Sequence, residues 1–349
     1  MGSNSLSVVV IGGGIIGAST AWHLARSGAQ VTLLEQQAMP AGGATHWSFG
    51  WVGTGSALPS ENPSGFSRTL GALPEFARLE RELGSLPVTT RGALVWLDSD
   101  AQTAALIDEQ RAAGVRMEAL GRREVARMEP RLARLPELIA WAPDDFVVEP
   151  MDLTHQLLSG AQAAGAEIRC GCAVEAVEAV ETRNGHAAGV HTAHGPVPAD
   201  VVVLANAASA AVIAAGLGVS LPVREKPAVL MRFAAGPGLI SHLLYGRDLE
   251  VRIGPSGSLL SAADPPEEGD SGLAALAART ASDISALFAE PPPLTLLSAK
   301  SALRPMTNDG APINGFLAGV AGVYAVVGHP GVILAPQLGR LAASAIMGA

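Results

Sequence analysis

Apolar residues follow two patterns along the chain, and the first is a set of short uninterrupted runs. Residues 6–11 form such a run, rich in β-branched side chains, and a helix over 18–27 and a strand over 31–35 are predicted after it. Runs over 200–207 and 323–327 predict further buried strands, and 331–347 predicts a last helix. Uninterrupted apolar strands joined by helices are typical of a parallel sheet covered on both faces.

The second pattern is alternation of apolar and polar residues. It predicts strands over 89–97 and 167–169, a strand that ends with 146–150, and a hairpin of 173–182 and 186–192 turning at Asn184-Gly185. The strands predicted over 223–233, 249–253 and 259–262 are expected to form an antiparallel layer. Helical spacing covers 65–83, 100–113, 122–128 and 153–164. The two patterns interleave, so two domains are expected to share the chain discontinuously, in an α/β fold that is α+β overall.

Composition narrows the class of protein. Of 349 residues, 48% are hydrophobic and 16% charged, which excludes a disordered chain, and 40 glycines with 24 prolines predict many tight turns. The net charge of −9 and the lack of a basic cluster argue against a nucleic-acid partner. The apolar stretches 8–22, 201–223 and 317–336 are broken by glycine, polar residues or proline, so no membrane span is predicted.

Cysteine and histidine usage predicts neither a disulfide nor a metal site. Cys170 and Cys172 lie two apart in an expected strand, where a disulfide is strained, so free thiols, a reducing compartment and a cytoplasmic location are predicted, without a targeting segment. His186, His191 and His194 are clustered, but His191 and His194 would point to opposite faces of a strand, so we expect no metal and exposed rings.

The clearest chemical signal is Gly12-x-Gly14-x-x-Gly17 between the first strand and the first helix, with Glu35 eighteen residues after Gly17. The glycines permit a tight turn, close approach to a pyrophosphate and close helix–strand packing, and the acid accepts hydrogen bonds from a ribose. These residues predict dinucleotide binding without separating FAD from NAD. The sequence has no Cys-x-x-Cys and no second such glycine motif, which argues against a disulfide reductase.

Six segments occur in the order found in one enzyme family, spread over the whole chain: the glycine motif, Gly43-Ala44-Thr45, Val148-Glu149-Pro150, and residues 204–208, 304–312 and 328–332. On these segments the sequence resembles the FAD-dependent D-amino-acid oxidase, glycine oxidase and sarcosine oxidase family. The end of the chain, from Gly331 to Gly339, is most similar to the glycine oxidase branch.

The resemblance implies a Rossmann-type FAD-binding domain interleaved with a substrate domain built on an antiparallel or mixed sheet. The expected FAD-binding ranges are 1–85, 143–220 and 300–349, and the expected substrate ranges are 86–142 and 221–299. FAD is expected to be noncovalent, because the C-terminal third lacks the cysteine that anchors the flavin in some sarcosine oxidases. His46 and His329 are alternative anchors that nothing in their setting requires.

The resemblance also assigns cofactor contacts. Residues 45–48 would line the pyrophosphate and the isoalloxazine, although Ser48 replaces the asparagine of many relatives. Val174 would lie near the adenine, and the backbone amides of 331–334 would face the flavin ring from a helix N-terminus. The full set of expected contacts is Gly12, Gly14, Ile15, Ile16, Gly17, Glu35, Gln36, Gly43, Ala44, Thr45, His46, Trp47, Ser48, Val174, Ala205, Asn206, Ala207, Arg304, Gly331, Val332, Ile333 and Leu334.

Arg304 is the expected substrate-binding residue, because a guanidinium pairs bidentately with a carboxylate and the family's carboxylate-binding arginine matches this position. The alternative interpretation is a surface arginine before a proline. Tyr245 and Arg252 are further candidates for contacting the substrate. The aromatic cluster Trp47, Phe49 and Trp51 would suit an apolar substituent on the substrate, or would simply pack in the core.

The implied activity is oxidation of the Cα–N bond of a small or N-substituted amino acid, such as an N-alkyl glycine. Hydride would pass to the flavin, the imine would hydrolyse to glyoxylate or a keto acid plus an amine, and oxygen would become hydrogen peroxide. Two alternatives stay open: a dehydrogenase subunit that passes electrons to a partner protein, and a noncatalytic FAD-binding protein. The sequence leaves homo-oligomerisation open as well.

Overall fold

The computed structural model describes residues 5–174, 180–183, 186–246 and 249–348. Its strands are β1 Ser7–Ile11, β2 Gln30–Leu34, β3 Trp51–Val52, β4 Val88–Trp96, β5 Glu118–Gly121, β6 Leu138–Val148, β7 Glu167–Arg169, β8 Val180–Arg183, β9 His186–Thr192, β10 Gly195–Pro198, β11 Val201–Leu204, β12 Val223–Ala234, β13 Leu243–Gly246, β14 Leu249–Ile253, β15 Leu259–Ala263, β16 Thr295–Thr307, β17 Ile313–Phe316 and β18 Val323–Val327. Its α-helices are α1 Ile15–Arg26, α2 Pro63–Leu83, α3 Asp100–Ala112, α4 Arg122–Met128, α5 Pro150–Ala163, α6 Ala210–Gly216, α7 Leu273–Ala286 and α8 Gly331–Met347.

The predicted parallel sheet is confirmed. Its strand order is β17-β18-β11-β1-β2-β7, with every pair parallel except β17 and β18. In the centre of the sheet Val8 lies between Val201 and Val31. Both faces of β1, β11 and β18 are buried, which explains why these strands are apolar at almost every position.

Helices α1, α5, α8 and α2 pack on one face of the parallel sheet around a core that includes Trp22, Phe76 and Leu157. Helix α8 crosses α1 at Gly339, where a Cβ atom would lie 2.4 Å from the Ser19 hydroxyl oxygen. That hydroxyl donates to the Ala335 carbonyl at 2.7 Å. The last helix of the chain is thereby held against the first, beside the glycine-rich turn.

The second large sheet has the order β16-β12-β15-β14-β13-β4-β6-β3, and β5 pairs with β6. Its pairs are antiparallel, as predicted, except for the parallel pair β4 and β13. Phe233 and Ile284 belong to the core between this sheet and α7. The opposite face of β12, β15, β14 and β16 turns toward the parallel sheet and forms one wall of the candidate site.

Several local predictions need correction. Helix α1 begins at Ile15 rather than residue 18, because its first turn directly follows Gly14. Cys170 and Cys172 are free, as expected, but they follow β7 in a bend instead of lying in a strand. His194 lies in the turn between β9 and β10, and it is exposed, as are His186 and His191.

Some predictions fall outside the described residues or go untested. Residues 175–179 of the predicted strand over 173–182 lie outside them, and so does the turn at Asn184-Gly185. The division into two domains stays a prediction, and β3, β6 and β16 of the large sheet lie wholly or partly in ranges assigned to the FAD-binding domain. Among the described residues, no group of acids, histidines or cysteines is arranged to hold a metal ion. The described helices include none that is long and apolar enough to cross a membrane.

Candidate cofactor and substrate site

One cavity of about 630 Å³ lies between the parallel sheet and the large sheet. It brings together most of the residues that the sequence singled out, from the glycine-rich turn after β1 to Arg304 on β16. Of the expected cofactor contacts, those lining it are Gly12, Gly14, Ile15, Ile16, Glu35, Gln36, Gly43, Ala44, Thr45, Trp47, Ser48, Val174, Ala205, Asn206, Ala207, Arg304, Gly331, Val332 and Ile333. Gly17, His46 and Leu334 are not part of the lining.

The turn between β1 and α1 is built so tightly that side chains are excluded from it. Gly12 has a φ of 104°, and a Cβ atom there would lie 2.8 Å from the Ala205 carbonyl oxygen. A Cβ atom on Gly17 would lie 1.9 Å from the Gly12 carbonyl oxygen. The missing side chains bring the start of α1 against the cavity with bare backbone, which is the surface a pyrophosphate requires.

Two polar side chains shape this end of the cavity. The Thr45 hydroxyl accepts a hydrogen bond from the Ile15 amide at 3.1 Å, so it satisfies one free donor of the α1 N-terminus. The buried Glu35 carboxylate accepts from the Gly13 amide at 2.7 Å and from the Gln37 amide at 2.8 Å, one at each oxygen. Each oxygen keeps a second lone pair, so Glu35 can still accept hydrogen bonds from a ribose.

Asn206 shows that this wall is incomplete without a ligand. Its side-chain oxygen is buried at the cavity and has no hydrogen-bond partner in the described part of the chain. Buried polar atoms are normally paired, so an unpaired acceptor at a cavity wall fits a ligand that donates to it. With the glycine turn and Glu35, it makes a donor and acceptor set that fits FAD.

Arg304 stands at the opposite wall, on β16. It lies in register with Lys226 of β12, and one of its terminal nitrogens donates to the Pro227 carbonyl at 3.1 Å. The same nitrogen lies 3.5 Å from a carboxylate oxygen of Asp264, whose side chain is 81% exposed. The buried Arg304 Nε has no hydrogen-bond partner among the described residues, so the guanidinium keeps donors for a ligand anion.

A carboxyl group that the sequence interpretation missed also lines the cavity. Glu250 of β14 is half-buried there, and burial raises its pKa to about 7 against the lowering effect of Arg252 and Arg304. A signal for it was present: Glu250 and Arg252 are two apart on a strand and therefore share a face.

The aromatic residues Trp47, Phe49 and Trp51 all line the cavity. Trp51 packs against Tyr245 at 5.6 Å between ring centroids, with the ring planes tilted by 54°, and its indole N–H donates to Asp145 at 2.8 Å. Burial raises the pKa of that carboxyl to about 6. These contacts hold the Trp51 indole in one orientation at the wall.

Trp47 is flanked by two cations. The Arg232 guanidinium carbon lies 5.9 Å and the Lys300 ammonium nitrogen 5.2 Å from its ring centroid. Burial first, and then the charges of Arg232 and Lys300, lower the pKa of the neighbouring His46. This side of the cavity is therefore electropositive, although the chain as a whole carries a net charge of −9.

Tyr245 and Arg252, the other candidates for substrate contact, do not line the cavity. Arg252 is fully buried below it. It forms a close ion pair with Glu149, donates to the Phe49 carbonyl, and donates to the Ile253 carbonyl at 2.9 Å. Tyr245 lies in register with Glu250 on the neighbouring strand.

A glycine-rich βαβ unit opening into a cavity whose far wall carries an arginine and a carboxyl defines a dinucleotide-dependent enzyme. Residues 7–345 match the FAD dependent oxidoreductase family, and the chain belongs to that family. Its cofactor is FAD.

Curated relatives of the same family include oxidases and dehydrogenases. Glycine oxidase of Geobacillus kaustophilus is 27% identical, over 97% of this chain and 92% of its own. A D-amino acid dehydrogenase of Cereibacter sphaeroides is 24% identical, over 93% of this chain and 87% of its own. The crystal structure of the Geobacillus glycine oxidase superposes with a TM-score of 0.81 at 23% identity, covering 99% of this chain and 95% of that one. That superposition confirms the fold.

Proposed function

We propose that the protein oxidises the Cα–N bond of a small amino acid, with N-substituted glycines as the preferred substrates and oxygen as the electron acceptor. The observation that carries this proposal is the single cavity joining the glycine-rich turn to the free donors of Arg304. A cofactor held at one end and a carboxylate held at the other would meet in the middle.

Arg304 would hold the substrate carboxylate. Its guanidinium has unused donors, and the adjacent Lys226 adds positive charge. Burial, with the charges of Arg304 and Lys226, lowers the pKa of His329 to about 4. His329 is therefore neutral at neutral pH and does not compete with Lys226 and Arg304 for the anion.

The protein's part in the reaction is to bind and orient. When bound, noncovalent FAD would supply the two-electron oxidant for the substrate carbon attached to nitrogen. Trp47, Phe49 and Trp51 would contact an apolar N-substituent and keep water from that side of the cavity. Hydrolysis of the resulting imine would give glyoxylate and a free amine when the substrate is an N-alkyl glycine.

Anaerobic titration of the purified yellow protein with glycine, sarcosine, N-ethylglycine and D-alanine tests the proposal. We expect loss of the oxidised flavin absorbance with at least one N-alkyl glycine, and hydrogen peroxide on admitting oxygen. Faster reduction by unsubstituted D-amino acids would overturn the substrate class. Reduction without peroxide, with a co-purifying second chain, would favour the dehydrogenase alternative.

Arg304→Ala tests the role of the arginine. We expect the Michaelis constant for the amino acid to rise about 30-fold or more, because loss of one partner of a charged hydrogen-bonded pair costs about 2 kcal/mol or more. Arg279→Ala removes an exposed arginine on α7 and is the matched control, expected to leave the constant unchanged. A flavin that no amino acid reduces, in either protein, would favour a noncatalytic FAD-binding protein.

A further inference from the structure

Glu250 and Arg304 stand at opposite ends of one wall of the cavity. In the large sheet the strands run β14, β15, β12, β16, with Glu250 on β14 and Arg304 on β16. The three strand-to-strand spacings from β14 to β16 add up to about 14 Å across the sheet. The registers also place Val251, the neighbour of Glu250, level with Ala299, so Arg304 lies about 13 Å further along β16. On the strands between the two charges, the residues that line the cavity are Ala262, Ala228, Val229 and Ala302. This part of the wall is thus lined mainly by alanine, with the Glu250 carboxyl group at one end and the Arg304 guanidinium group at the other.

The two charges influence each other without touching. The positive charge of Arg304 lowers the pKa of Glu250, so the groups are within electrostatic reach. No ion pair joins them among the described residues, in which Arg304 pairs with Asp264. The space above the alanines therefore separates opposite charges in the way that a zwitterion needs, with a carboxylate near Arg304 and an ammonium group near Glu250.

Within the described residues, no hydrogen bond or ion pair engages the Glu250 carboxylate. Its electrostatic neighbours are Arg252 of its own strand and Arg304 of β16. Arg252 is already paired with Glu149. On either side of β14, Tyr245 of β13 is the titratable neighbour, and β15 carries only Leu, Ser and Ala. On α7, Arg279 and Asp283 are exposed.

These observations bear on the step that precedes oxidation. An amino acid enters as an ammonium ion, whose nitrogen has no lone pair to assist departure of a hydride from Cα. One N–H proton must leave before the hydride does, and a base in the cavity with a pKa near the working pH is well suited to accept it. Burial places the pKa of Glu250 at about 7.

We infer that Glu250 binds the amino group of the substrate and accepts its proton. The N–H bond breaks, the electron pair stays on nitrogen, and an O–H bond forms on the Glu250 carboxylate, which later releases the proton to water. Glu250 is then a catalytic residue, and it selects substrates that carry a basic nitrogen next to the carboxylate. This inference rests on the proposed function.

The test is anaerobic stopped-flow reduction of the flavin from about pH 6 to about pH 10 in wild type, Glu250→Gln and Glu250→Asp. At pH 7 we expect Glu250→Gln to reduce about 10²-fold more slowly or worse, with recovery as pH approaches the pKa of the free amine. Glu250→Asp should keep part of the wild-type rate at pH 7. Glu267→Gln changes an exposed acid and is expected to match wild type.

A second readout compares the substrate with a ligand that the protein cannot oxidise. Acetate carries a carboxylate but no amine. In Glu250→Gln, which removes the negative charge, we expect the calorimetric dissociation constant of acetate to be unchanged or lower. The Michaelis constant for glycine should rise in the same variant. Unchanged pH dependence of flavin reduction in Glu250→Gln, or acetate and glycine weakened alike, would overturn the inference. A wild-type flavin that no amino acid reduces would instead refute the proposed function, so the two failures are distinguishable.

Discussion

The buried ion pair between Arg252 and Glu149 links the large sheet to the start of α5, and removing one partner should be costly. Arg252 is fully buried, and Glu149 is buried at the residue before α5. Burial lowers the pKa of the Arg252 guanidinium, and the charge of Glu149 opposes that effect. In Glu149→Ala the guanidinium would remain in the interior without its carboxylate, an arrangement that typically costs about 3–5 kcal/mol.

The size of the protein converts this cost into a melting shift. An unfolding entropy of about 2.1 cal/mol/K per residue gives about 0.7 kcal/mol/K for the 349 residues. A loss of about 3–5 kcal/mol then lowers Tm by about 4–7 °C. Calorimetry of the holoprotein at saturating FAD measures the shift with cofactor linkage held constant.

An exposed ion pair serves as the matched control. Arg169 and Glu167 lie 2.7 Å apart, with side chains 41% and 57% exposed. Glu167→Ala should cost at most about 1 kcal/mol, which is a shift of about 1 °C. The double variant Glu149→Met, Arg252→Met should be more stable than Glu149→Ala, because no charge is then left buried. Equal shifts for Glu149→Ala and Glu167→Ala would refute the reasoning.

Two further expectations concern the α1 region. Gly17→Ala should destabilise the protein by at least about 1–3 kcal/mol and remove most of its FAD, because the new Cβ atom would lie 1.9 Å from the Gly12 carbonyl oxygen. Gly236→Ala is the control, because no atom lies within 4 Å of the new Cβ position. Equal FAD content in the two variants would contradict a role of the Gly12–Gly17 turn in holding the cofactor. Burial lowers the pKa of His23 from its ordinary value of 6.5 to about 4. As the pH falls below about 6.5, the unfolded chain therefore binds a proton at His23 while the folded protein does not, and the folded protein loses stability. Between pH 7 and pH 5 wild type should lose about 2 kcal/mol more unfolding free energy than His23→Gln in urea titrations, and equal losses would contradict it.

The cofactor end of the cavity could be predicted from sequence because its geometry is local. The spacing of Gly12, Gly14 and Gly17 determines a turn within six residues, and the apolar runs on both sides predict the strand and the helix. Cys170 and His194 illustrate the limit, since both were expected on a strand but lie just beyond the ends of β7 and β9.

The substrate end depends on strand order, which no local pattern encodes. Strand β16 pairs with β12 from Val223 opposite Thr307 to Ala234 opposite Thr295, although about 70 residues separate them in sequence. This pairing, with β15 and β14 beyond it, places Glu250 and Arg304 on one wall of the cavity, with mainly alanine side chains between them. Period two already required Glu250 and Arg252 to share a face, but burial decides their roles. Arg252 is paired with Glu149 below the cavity, whereas Glu250 lines the cavity and has no ion-pair partner among the described residues. From residue type alone, Arg252 was the expected substrate contact on β14, whereas the assembled sheet favours Glu250, two residues before it.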